Sequence, residues 1–193
     1  MSDILDIFKF QGALLEGHFL LSSGLHSAQY LQCARVLMDP KIASDLGARL
    51  AEKLQAAGLA PGVVVGPAMG GIVIGHEVAR AMGARSVFTE REGTGMSLRR
   101  GFSLEPGEDV IVVEDVVTTG KSTREVIAVI ETAGARVVGV GSLVDRSGGQ
   151  HGFEVPFGSL LTISVDTWGA AACPLCAAGS KAVKPGSRPS ATA

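Results

Sequence analysis

The chain has 193 residues, 46% of them hydrophobic and only 5% aromatic, with 26 glycines. That supports one aliphatic-cored domain with many loops. A formal net charge of -2 gives no electrostatic basis for general nucleic-acid or membrane binding, and no apolar run approaches the ~20 residues of a membrane span.

The amino end, MSDILDIFKF, starts acidic and lacks a signal-peptide layout. A cytoplasmic protein is therefore expected. The cysteines are Cys33, Cys173 and Cys176. An odd count without an export signal argues against a disulfide framework.

Residues 2–16 read as a short helix or two, with Ile4, Leu5, Ile7, Phe8, Leu14 and Leu15 on the apolar face. Phe19 to Leu21 and Gln29 to Cys33 read as strands around Ser22-Ser23-Gly24-Leu25-His26-Ser27, a hairpin ahead of the main fold. Asp39-Pro40 opens the next helix, with Asp as N-cap and Pro at the first helical position. Ile42, Leu46, Leu50 and Leu54 keep helical spacing up to Gly58. Val63 to Val65 is a short buried strand ending in Gly66-Pro67-Ala68-Met69-Gly70-Gly71, a turn that either exposes N–H groups to an anion or packs a helix closely on the sheet, and a helix follows to about Met82. Ser86 to Phe88 starts another strand. Residues 89–107 are polar and glycine-rich, longer than most connections, and read as a lid or as disorder.

The stretch Val110 to Thr123, VIVVEDVVTTGKST, carries the strongest signal. Val110 to Val113 predict a strand buried on both faces. Glu114 and Asp115 follow, then a Gly/Ser/Thr loop, then a helix from about Thr123 to Ala133. A strand entering such a loop and then a helix holds a phosphate, because backbone N–H groups and the positive helix end point at the anion. Gly120-Lys121-Ser122 is not the end of a nucleotide P-loop, since Asp115 stands where that motif needs glycine. Two carboxylates suit hydroxyls or a cation beside one phosphate, as in a phosphorylated sugar. They sit at the carboxyl edge, where ligands of open α/β sheets bind.

Further strands are expected at Arg136 to Val144 and Leu160 to Val165. Strands alternating with helices imply an α/β fold, a mostly parallel sheet with right-handed crossovers. Asp145-Arg146 ends a strand at a carboxyl edge, and arginine there suits a planar carboxylate or a surface ion pair. Cys173-Pro174-Leu175-Cys176 has metal-knuckle spacing but supplies two ligands only. A zinc site would need a second knuckle, an exposed redox pair is another option, and a turn with two unremarkable thiols is the expectation taken. Residues 178–193 hold no acid and read as a loose tail. The expected layout is one domain over residues 1–177, with an amino-terminal part of about 1–36 and a core of about 37–177.

VIVVEDVVTTGKST resembles the phosphoribosyl-pyrophosphate (PRPP) signature of the type I phosphoribosyltransferases. The resemblance implies that Glu114 and Asp115 hold the ribose hydroxyls. It gives the 5-phosphate to the loop Val116, Val117, Thr118, Thr119, Gly120, Lys121 and Ser122. The turn Ala68, Met69, Gly70 and Gly71 resembles the family's pyrophosphate loop. The segment Phe19 to Ser27, followed by Tyr30, is similar to the amino-terminal hood over the base in orotate phosphoribosyltransferases, which places Ser23, Gly24 and His26 in the hood. Many members carry lysine where this chain has Ser22. His26 alone reads as a surface histidine unless the hood closes over the site.

Arg146 and Thr118 resemble the orotate contacts. The lid, Thr89 to Gly101, lacks the lysines and histidine of many members, so Arg91, Arg99 and Arg100 are the candidates to meet pyrophosphate, Arg91 first. The CPLC…KPGSR ending is similar to that of some bacterial orotate phosphoribosyltransferases. The reaction implied is orotate plus PRPP giving orotidine 5'-monophosphate and pyrophosphate, in pyrimidine synthesis, with Mg²⁺ as cofactor. No residue is assigned as a direct metal ligand: Mg²⁺ enters with PRPP, and Glu114 and Asp115 are the candidates to reach it through water. A homodimer with the lid shared between subunits is also implied, with no nucleic acid or membrane partner. The rival readings are transfer to another base, such as a purine, and a non-catalytic PRPP-sensing regulator.

Overall fold

A computed structural model describes residues 3–21 and 23–185. It divides into two units, residues 1–36 with 164–193, and residues 37–163. Ser22 and residues 186–193, the end of the expected tail, lie outside the described residues.

In the first unit, α1 (Ile4–Phe10) is capped by the Asp3 side chain, which accepts from Leu5 N–H. Gly12, at φ +59°, then turns the chain. Strand β1 (Leu14–Leu20) pairs antiparallel with β2 (His26–Leu31). Leu14 and Leu15 therefore belong to a strand, not to a helical face. Two adjacent leucines fit either period, and the left-handed glycine before them decides it. Helix α2 (Cys33–Leu37) takes up Cys33, which the sequence placed at the end of a strand.

The second unit begins with α3 (Pro40–Ala56), where Asp39 caps the Lys41 N–H and Pro40 fills the first turn. Then come β3 (Val63–Pro67), α4 (Gly70–Met82), β4 (Arg85–Glu92), β5 (Gly95–Leu98), β6 (Asp109–Val117), α5 (Lys121–Thr132), β7 (Arg136–Asp145) and β8 (Phe157–Thr162). One six-stranded sheet forms in the order β5-β4-β3-β6-β7-β8. Its pairs are parallel except β4 with β5. The mixed, mostly parallel α/β architecture is the one expected.

The central position of β6 follows from its sequence. Val110 to Val113 are all 0% exposed, so both faces of the strand are covered. Val110 and Val112 join Val63, Val65, Val126, Ile130 and Val140 in one apolar cluster. Alternation sends Ile111 and Val113 to the opposite face. Burying such aliphatic side chains contributes roughly 1.5–3 kcal/mol each, which fixes β6 at the centre of the sheet and thus where Glu114 and Asp115, in its carboxyl-terminal half, stand.

The stretch expected as a lid or disorder is instead ordered at its start. Thr89↔Leu98 to Glu92↔Gly95 form an antiparallel hairpin. Its mixed polar sequence hides the strand period because only one face is covered.

The chain returns to the first unit through β9 (Thr167–Trp168), which pairs with β2, a 3₁₀ turn at Ala170–Ala172, and α6 (Pro174–Ala177). Residues 164–177 thus pack with the hairpin rather than with the core, as β9 completes the hairpin's sheet. The described part of the expected tail is anchored too. Leu20 N–H donates to Val183 C=O at 2.9 Å, and Val183 N–H to His18 C=O at 2.8 Å.

Candidate active site

Glu114 and Asp115 stand at the carboxyl end of β6. Glu114 is 8% exposed. Its Oε2 accepts from Thr123 Oγ1 at 3.0 Å and Ser122 Oγ at 3.2 Å, so the first turn of α5 holds it. Burial first, and the Asp115 charge second, push its carboxyl up to about 7, against the two hydroxyls that pull it down. Burial also raises Asp115, opposed by the Val116 N–H that donates to its Oδ1 at 2.8 Å. Two crowded, desolvated carboxylates are costly on their own. Hydroxyl donors or a divalent cation would relieve them, and oxygen donors of this kind suit Mg²⁺.

Two glycine-containing turns, each opening a helix, flank the pair. On one side, Thr118 and Thr119 lead to Gly120 at φ +69°, the N-cap of α5. A Cβ there would collide with the His151 carbonyl oxygen and the Phe153 ring, so glycine is required. Lys121 and Ser122 open the helix, with Lys121 on the surface. On the other side, Gly70 and Gly71 open α4, after a cis peptide between Ala68 and Met69. A Cβ on Gly70 would strike the Asp115 carboxylate, and one on Gly71 the Val113 carbonyl oxygen and Pro67. The glycines therefore serve close packing, and that packing sets the turn directly against Asp115. Met69 is 81% exposed.

Arg146 follows β7. Its N–H donates to the Val117 carbonyl at 2.8 Å, and β7 runs parallel to β6, which seats it beside Thr118 and the start of the loop before α5. Sequence reasoning missed Arg124. Its guanidinium donates to the Thr119 carbonyl at 2.8 Å and to the carbonyl of His151, tying the loop before α5 to His151. In sequence it is one more charge on a helix surface, and nothing there signals the clamp.

The basic residues of the β4–β5 region are spread out. Arg91 lies in β4 and pairs with Glu125 Oε2 at 2.6 Å. Arg100 forks onto both oxygens of Glu90 at 2.8 and 2.9 Å. Arg99 is exposed.

In the other unit, Ser23 Oγ accepts from Leu25 N–H at 3.4 Å, and Gly24 turns the chain at φ +83°. His26 is not a surface histidine: it is 8% exposed, with Nδ1 2.8 Å from His18 Nε2. Cys173 and Cys176, expected as a plain turn, also reach these rings. The spacing of their partners in sequence concealed it.

No helix among the described residues is long and apolar enough to cross a membrane. Residues 35–169 match the model of the phosphoribosyl transferase domain family. The chain is 55% identical over 186 residues to an orotate phosphoribosyltransferase of Desulforamulus reducens, covering 96% of each. It is 55% identical over 185 residues to one of Heliobacterium modesticaldum, covering 96% of this chain and 97% of that one. Among solved structures, the orotate phosphoribosyltransferase of Aeropyrum pernix superposes with a TM-score of 0.69 at 30% identity, over 83% of this chain and 93% of that one. With a family model matched over most of its length and relatives of this identity along nearly the whole sequence, the chain belongs to the phosphoribosyl transferase family, within its orotate phosphoribosyltransferases.

Proposed function

We propose that this chain transfers the 5-phosphoribosyl group of PRPP to N1 of orotate, releasing pyrophosphate and orotidine 5'-monophosphate for pyrimidine synthesis. The observation that carries this is the acid pair Glu114–Asp115 at the end of a buried strand, with an anion-binding turn on each side. A triphosphate would be repelled there, whereas a sugar with phosphates at both ends fits.

In this reading Glu114 and Asp115 accept hydrogen bonds from the ribose hydroxyls. The N–H groups from Thr118 to Ser122 and the start of α5 hold the 5-phosphate, since Val116 and Val117 of the expected loop belong to β6 and the Val116 N–H is taken by Asp115. Ala68 to Gly71 offer N–H groups to the pyrophosphate. Arg146 grips the orotate carboxylate with two parallel hydrogen bonds, and Thr118 takes the base edge. The protein need do little covalent chemistry: positioning the two reactants and stabilising the leaving charge suffice. Mg²⁺, when bound, would neutralise the pyrophosphate and screen the acid pair. Arg91, Arg99 and Arg100 complete the charge around pyrophosphate, and Arg91 must first leave Glu125. A homodimer that shares this basic hairpin is part of the proposal, and sedimentation of the purified chain checks it.

Base choice is tested by competition. With PRPP and Mg²⁺ supplied, orotate should be consumed while equimolar adenine and hypoxanthine remain. Ribosylation of either purine in preference to orotate would overturn the base assignment while leaving the PRPP site intact.

A further inference from the structure

Four residues to which the proposed transfer assigns no substrate contact converge in the smaller unit: His18, His26, Cys173 and Cys176. One ligand atom from each lies within 4.8 Å of all the others. His18 Nε2 is 2.8 Å from His26 Nδ1, 3.5 Å from Cys173 Sγ and 3.7 Å from Cys176 Sγ. Cys176 Sγ is 3.3 Å from His26 Nδ1. Three of the four are buried. We infer that these side chains form a closed, four-coordinate structural site for Zn²⁺.

Geometry and donor chemistry both support this. Zn–N bonds of about 2.0–2.1 Å and Zn–S bonds of about 2.3 Å in a tetrahedron give nitrogen–sulfur edges of about 3.6 Å. The observed edges of 3.3, 3.5 and 3.7 Å bracket that value. The nitrogen–nitrogen edge of 2.8 Å is hydrogen-bond length and needs to open by about half an ångström to match the same tetrahedron. Two imidazoles and two thiols, with no carboxylate among them, select a borderline-soft metal over Mg²⁺. The site is therefore separate from the cation of the reaction. Four protein ligands leave no open position, the mark of a structural site rather than a catalytic one.

Secondary structure delivers each ligand. Leu20 stands opposite His26 across the hairpin, and strand alternation puts His18 on the same face as Leu20. A register shift between Glu16 and Phe19 lies at this point, the kind of bulge that re-aims a side chain. β9 pairs with His26 and Ser27 of β2 and so brings the following turn alongside. There Cys173 is the N-cap of α6 and Cys176 lies one turn on, with Pro174 rigidifying the knuckle. The remaining nitrogen of His18, Nδ1, lies 3.2 Å from Ser180 Oγ. A donor–acceptor partner on the second ring nitrogen is what orients a metal-bound histidine.

The site has work to do. The apolar core of this unit is small, chiefly Phe8, Ala13, Leu31, Cys33 and Val36. A metal clip that joins residues 18–26 to 173–176 ties together segments separated in sequence by the whole larger unit. Small units commonly rely on such a staple.

The test uses the full chain, purified without chelator. Elemental mass spectrometry should find one zinc per chain. After the metal is stripped, Co²⁺ should restore the visible bands of tetrahedral cobalt together with thiolate-to-cobalt charge transfer. Cys176→Ser should weaken Co²⁺ binding at least tenfold and reduce the charge-transfer band. Ser180→Ala should weaken it by about tenfold, as loss of an outer-shell partner does. His76→Ala, an exposed histidine of the other unit, should change nothing. Hydrogen exchange of the stripped chain should accelerate in residues 14–31 and 167–183 and stay constant in 110–145. The inference is overturned if the wild-type chain carries no zinc and gives no charge-transfer band with excess Co²⁺. It is equally overturned if the freshly purified chain is lighter by two hydrogens, with Cys173 and Cys176 joined as a disulfide.

Discussion

At the scale of the residue, the acid pair is where folding and function pull in opposite directions. Glu114 holds its proton up to about pH 7 in the unbound protein, against an ordinary value near 4.5. A folded-state value above the unfolded one stabilises the fold fully below about 4.5, and that stabilisation is lost as the pH rises through about 7. A shift of this size corresponds to roughly 3 kcal/mol. Urea unfolding of the unbound chain should therefore show stability declining between pH 4.5 and 8. Glu114→Gln should flatten that decline, and an unchanged slope would show that the group is not the cause. Arg146 makes a complementary prediction on the ligand side. Removing a bidentate partner of a carboxylate costs on the order of 2–3 kcal/mol. Arg146→Ala should raise the orotate KM about 30- to 150-fold and leave the PRPP KM nearly unchanged. Equal effects on both would remove the assignment to the orotate carboxylate.

Among the elements, β6 and the turns on either side of it were the most legible. Four consecutive buried valines and isoleucines, an acid pair and a Gly-Lys-Ser helix start are all local signals, and local signals survive in sequence. The β4–β5 hairpin was less visible because Thr89 to Leu98 cover one face only, and their polar alternation resembles a loop. The Arg124 clamp and the His18–Cys176 cluster were invisible for a different reason. Arg124 and His151 are 27 residues apart and Cys176 and His26 are 150 apart, so only the folded chain brings them together. The turn before α4 gives a test at this scale. A Cβ on Gly71 would sit 2.7 Å from both the Val113 carbonyl oxygen and Pro67 Cδ. Backbone cannot move aside as a flexible side chain would. Gly71→Ala should cost roughly 1–3 kcal/mol, or several degrees in Tm for a chain of this length, and should weaken PRPP binding through the displaced turn. A thermal scan and calorimetry with PRPP check both, and a variant with unchanged Tm and PRPP affinity would show that the close approach is not tight.

For the whole molecule, composition and strand order were enough to reach the mostly parallel α/β sheet, because alternating strands and helices leave few other arrangements. They were not enough to place residues 164–185, which join the amino-terminal unit through a short antiparallel pairing with β2 and an isolated parallel bridge between Val183 and Phe19. A two-residue strand has no detectable period, so β9 left no trace in the sequence. Every residue proposed to touch PRPP or the orotate carboxylate lies within residues 37–163, whereas the cysteine–histidine cluster lies in the other unit. In the proposed function the acid pair and glycine turns hold the donor, and Arg146 the acceptor. The most direct test of that account is the orotate absorbance band, followed over time with the purified chain. The band should decline only when PRPP and Mg²⁺ are both present. A steady band with all components present, under conditions where the chain is folded, would contradict the account.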